Sequence, residues 1–190
     1  MKARFQSTNA KIAAKRKRDS AKPEKMLQIT DPVTMLTDFA LAAASLYFAY
    51  LLTRILGPRN RISAWLWCAA FIVSSIAALL GGIYHGFALH FDALTLQVIW
   101  GAIVYAIGLC TGLMIGGIHA AYIQREEGTV KWLLYGALVT IIGLIVQRSG
   151  FRSHRNFNHN DLYHLIQIAG FYLLYRGACT LRDRYTVPTR

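Results

Sequence analysis

Apolar residues occur in long, nearly uninterrupted runs along this chain, and polar residues gather in short segments between them. Runs of about 20 residues without a charge match the hydrocarbon thickness of a bilayer when they coil into helices. The pattern predicts five such helices. The first is expected from Pro32 to Leu56, opened by Asp31-Pro32 and closed by Gly57-Pro58, pairs that start and stop helices. The second is expected from Ile62 to Ala88, with Trp65 and Trp67 at its entrance, where interfacial aromatics belong. The third should run from Leu94 to Ile123, the fourth from Val130 to Val146 and the fifth from Leu162 to Leu181. Gly108, Gly112 and Gly116 recur along one face of the third helix. That face predicts close approach of a neighbouring helix.

The expected fold is therefore all-α, an integral membrane helix bundle of about five transmembrane helices over residues 32–181. Residues 1–31 read as a basic, flexible cytoplasmic tail and 182–190 as a short C-terminal tail. An odd number of spans fixes which motifs share a membrane face. The second helix ends, and the fifth begins, on the side of the N-terminal tail. This puts G-G-I-Y-H-G around His85, N-H-N-D-L-Y-H from Asn158 to His164, and Asp38 early in the first helix together. His119 falls on the opposite face.

Composition agrees. Of 190 residues, 55% are hydrophobic and 16% charged, where a soluble domain carries about a quarter as charges. The formal net charge of +12 invites a nucleic-acid reading. However, nine of the 21 basic residues precede Gln28, and no aromatic-interleaved basic groove accompanies them. The tail is expected to meet anionic lipid instead, and the sum of basic residues over the loops places the N-terminus in the cytoplasm. Cys68, Cys110 and Cys179 are scattered among separate apolar runs, so they read as small core hydrophobes rather than a disulfide framework.

The chemistry concentrates where the fifth helix begins. Asp161 and His164 are three residues apart and share a helix face, with Gln167 a further turn along. Asn160 reads as the N-cap of that helix, and Asp161 in the first turn complements its dipole. His85 ends the second helix above a stripe of small residues, Gly82, Gly81, Ala78 and Ser74. Together His85, Asp161 and His164 make two histidines and a carboxylate, the ligand count of a catalytic Zn²⁺ with one position left for water. His159 is a fourth metal ligand or a neighbour of one. Asp161, if not a ligand, is the candidate catalytic base, Asp38 a second candidate, and Ser74 a candidate for stabilising an oxyanion.

Two resemblances add to this reading. G-G-I-Y-H-G-F, F-N-H-N-D-L-Y-H-L-I-Q and Y-L-L-Y-R-G-A resemble a family of small, uncharacterised multi-pass membrane proteins, over Asp38 to Ala178. More distantly, the chain resembles the superfamily of alkaline ceramidases and progestin/adiponectin-type receptors. That likeness implies a zinc site near one membrane face, lipid-amide cleavage, and parts for Ser74 or Ser75, His85 and His164. It departs from that pattern in carrying D-x-x-H and H-x-x-x-x-H, where the superfamily has H-x-x-x-H, and in having two fewer helices.

Three functional readings follow. The first is an intramembrane, metal-dependent hydrolase of a lipid amide or ester, in which Zn²⁺ lowers the pKa of its water to about 7. The second is a b-type haem protein with His85 and His164 as axial ligands. The third is a non-enzymatic membrane protein whose polar motif locks helix ends together.

Overall fold

The computed structural model describes residues 28–122, 128–150, 152–154 and 157–184. The basic tail expected before Gln28 lies outside the described residues. Five long helices form: α1 (Pro32–Thr53), α2 (Arg61–Phe87), α3 (Ala93–Ala120), α4 (Thr129–Ser149) and α5 (His159–Cys179). A 3-10 turn, Ala88–His90, follows α2. Their ends fall within a few residues of the expected spans because caps and breakers sit there. The Asp31 side chain accepts from Thr34 N at the start of α1, and Pro32 occupies the first turn, where a missing N–H costs nothing. Asp92 caps α3 through Thr95 N.

Four helices, α1 to α4, are long and apolar enough to cross a membrane. The fifth is 21 residues long, the same length as α4. It carries His159, Asp161, His164, Gln167 and Arg176, and so falls short of the others in apolarity. It compensates by packing. α5 lies along both α1 and α4, while α2 lies along α1 and α3. The core sits between α1, α2 and α5 and is aromatic. Phe71 lies 5.7 Å from Phe48 and 5.7 Å from Phe171, centroid to centroid, with Trp67 alongside.

Glycines set how closely the helices approach. An added Cβ at Gly136 of α4 would sit 2.6 Å from Leu174 Cγ, and one at Gly170 of α5 would sit 2.8 Å from Thr140 Oγ1. The α4–α5 seam is therefore built on small residues from both sides. The stripe on α3 behaves otherwise. Nothing lies within 4 Å of a Cβ at Gly108 or Gly112, and Gly116 meets only Leu66 at 3.8 Å. The glycine of α3 that does pack is Gly117, where a Cβ would be 2.7 Å from Trp67 Nε1. The expected packing face is thus turned away by one residue, about 100° around the helix.

At the end opposite the histidine motifs, the segment after α5 is built into the bundle. Arg182–Asp183 pairs antiparallel with Ala121–Tyr122. The buried Asp183 carboxylate accepts from Ile62 N at 2.8 Å and Ser63 N at 2.9 Å. It caps α2 from 121 residues away, because Asn60, the residue before α2, makes no side-chain cap. The first three residues of the expected C-terminal tail, 182–184, are thereby part of the fold.

Candidate functional site

The cluster grows from the capping of α5. Asn158, rather than the expected Asn160, is the N-cap. Its side chain accepts from Asn160 N at 2.8 Å, and Asp161 Oδ2 reaches back to accept from Asn158 N at 2.7 Å. This reciprocal arrangement satisfies donors that a helix start leaves open. Asp161 is fully buried, and its other oxygen has a second task. Oδ1 accepts from the Thr34 hydroxyl of α1 at 2.7 Å. The Asn158 amide also donates to Thr34 Oγ1 at 3.3 Å and to Asp31 Oδ2 at 3.4 Å. The cap of α5 and the start of α1 are one hydrogen-bonded unit.

One turn deeper lies His164. Its Nδ1 is 3.0 Å from Thr37 Oγ1, and its Nε2 is 3.2 Å from Asp38 Oδ1. The Thr37 hydroxyl donates to Thr34 O at 3.0 Å, so its oxygen is left to accept from His164 Nδ1–H. Counting hydrogens in this way assigns the ring. A proton must then also lie between Nε2 and Asp38, since a bare lone pair facing a carboxylate is repelled. Both residues are buried, and Asp38 leans against α2, where a Cβ at Gly81 would lie 2.9 Å from Asp38 Oδ1. Gly81 is what lets the carboxylate fit. Asp38 Oδ2 has no hydrogen-bond partner.

The expected same-face grouping of His85, Asp38, Asp161 and His164 is present. Thr30 N and Asp31 N donate to Gly86 O and His85 O at 2.9 and 3.1 Å, joining the end of α2 to the start of α1. Among the described residues no group of three His, Cys, Asp or Glu side chains is arranged to hold a metal. His164 has neither nitrogen free, and each Asp161 oxygen already accepts a hydrogen bond. The half-buried His85 ring meets the Tyr84 ring edge-on. His159 opens α5 with its Nδ1 buried and unpartnered. Ligation of a haem by His164 would require it to give up its contact with Thr37 or with Asp38. Ser74, expected beside an oxyanion, is buried in α2 and makes no hydrogen bond to the cluster.

What the sequence did not reveal are the partners, Thr34 and Thr37. Threonine in an apolar helix usually bonds its own preceding turn, as Thr37 does here, so neither stood out. Their three-residue spacing matches that of Asp161 and His164, which is the one signal that could have found them.

The family of unknown function DUF6962 matches this chain over residues 33–117 and 109–183. The chain belongs to that family. The match runs from the start of α1 to Asp183, so it includes every residue of the cluster except Asp31. No curated protein matches the chain, and no solved structure does. The likeness to ceramidases and progestin/adiponectin-type receptors has no support from these comparisons.

Proposed function

We propose that this is a non-enzymatic membrane protein in which the polar cluster fastens α1 to α5, with α2 held alongside through Asp38 and Gly81. One observation carries the reading. Side chains of a single turn of α1, Thr34, Thr37 and Asp38, engage Asp161 Oδ1 and both nitrogens of His164. Polar groups in a membrane interior are costly and are kept where they serve the protein. Here Thr34, Thr37, Asp161 and His164 satisfy one another, which is what a fastening requires.

Metal content and stability measured on the same purified protein test the proposal. Wild type is expected to carry no stoichiometric metal and to be unaffected by a chelator. His164→Ala should weaken the fold by about 1–3 kcal/mol, the cost of leaving buried Asp38 and Thr37 without their partner. One tightly held divalent ion per chain, lost in His164→Ala with the fold intact, would restore the hydrolase reading.

A further inference from the structure

Among the described residues, the face opposite the cluster carries an excess of positive charge. Arg54, Arg59, Arg61, Lys131, Arg176 and Arg184 all sit at that end, where α1, α3 and α5 finish and α2 and α4 start. The one carboxylate there among the described residues is Asp183, which is buried and committed to the backbone of α2. Among the described residues the other face is mixed, carrying Arg148 as well as Asp31, Asp92 and Asp161.

Two of these cations are held in matching ways on exposed helix surface. Arg176 donates to Tyr172 Oη at 3.0 Å, one turn earlier in α5, and its guanidinium lies 4.7 Å from the centre of the Trp132 ring of α4. Arg54 donates to Tyr50 Oη at 3.1 Å, one turn earlier in α1, and lies 5.8 Å from that ring. Neither forms an ion pair with an acid among the described residues. An arginine has five N–H donors, and the tyrosine takes one. The remainder point from a rigid perch at the level of the interfacial aromatics, where lipid headgroups lie. Holding the guanidinium in advance reduces the entropy lost when it captures an anion.

We propose that this face binds the phosphates of anionic phospholipids, with Arg176 on Trp132 and Tyr172, and Arg54 on Tyr50, as the two headgroup contacts. A guanidinium matches a phosphate oxygen pair in a bidentate hydrogen bond. The occupant is a lipid rather than free phosphate because both sites lie on exposed, lipid-facing helix ends. The proposal is independent of the polar cluster at the other face.

Native mass spectrometry of the full chain, released from micelles holding equal phosphatidylglycerol and phosphatidylcholine, tests it. Retained lipid should be mainly phosphatidylglycerol. Arg176→Gln and Arg54→Gln should each lower that retention about fivefold, the effect of one basic residue at a membrane surface. Arg148→Gln, at the other face, should leave it unchanged. Because neither arginine is buried, both variants should fold, and their loss relative to wild type separates this face from the basic tail, which is itself expected to meet anionic lipid. Equal retention of the two lipids by wild type would overturn the proposal. So would a loss in Arg148→Gln as large as that in Arg176→Gln, or displacement of the lipid by inorganic phosphate.

Discussion

Replacing Asp183 by alanine removes a cap that α2 cannot supply for itself. The carboxylate accepts from Ile62 N and Ser63 N at 2.8 and 2.9 Å, and Asp183 N donates to Arg59 O at 2.7 Å. Loss of a helix N-cap costs about 0.5–2 kcal/mol, and a buried donor left without a partner adds about 1–3 kcal/mol. Water at the membrane surface can reach part of the vacated site, so a total of about 2–3 kcal/mol is expected from these two terms. Asp183→Asn keeps one acceptor but sets its amide NH2 against the other N–H, so it should still cost about 1–3 kcal/mol. Reversible unfolding in mixed micelles, followed by circular dichroism, reads both values. Amide exchange should accelerate at Ile62 and Ser63 in the alanine variant and stay slow in the middle of α2. An alanine variant as stable as wild type, with those two amides still protected, would refute the reasoning.

Three further outcomes are expected. Gly117→Ala should destabilise by about 1–3 kcal/mol, since its methyl would meet the buried Trp67 ring. Gly112→Ala, with nothing within 4 Å, should be neutral or stabilising by up to about 1 kcal/mol through helix propensity; unfolding curves of the two decide whether the α3 stripe packs. At the start of α3, hydrogen bonds from Thr95 hold the Asp92 carboxyl below the usual carboxylate range. A lowered folded value means that ionised Asp92 supports the helix start above its unfolded value of about 3.9 and loses that effect as pH falls through the folded one. Protection of the Thr95 amide should therefore drop below about pH 4 in wild type and show no such step in Asp92→Asn.

The bundle was legible in the sequence because each apolar run ends at a strong local signal, such as Asp31-Pro32 or Gly57-Pro58. An odd number of helices then brought Asp38, His85 and Asp161 to one face without any contact being known. The chemistry was less legible, because ligand-type residues look alike whether their lone pairs are free or filled. His164 read as a metal ligand until Thr37 and Asp38 were found on its two nitrogens. Gly112 and Gly117 illustrate the same gap in packing. Spacing shows that a helix has a small-residue face, but only the neighbour's position decides which glycine is used. Asp183 lay beyond reach for another reason: a cap supplied from 121 residues away leaves no local trace.

The central claim, that side chains of α1 hold α5, is tested most directly by a double-mutant cycle between Thr34 and Asp161. The stability of wild type, Thr34→Val, Asp161→Ala and the double variant would be measured by reversible unfolding in mixed micelles. A buried hydrogen bond to a carboxylate is worth about 1.5–3 kcal/mol, and within membranes such couplings reach about 1.7 kcal/mol. A coupling of about 1–2 kcal/mol is therefore expected between the two sites. Additive effects, with no coupling between Thr34 and Asp161, would contradict the account.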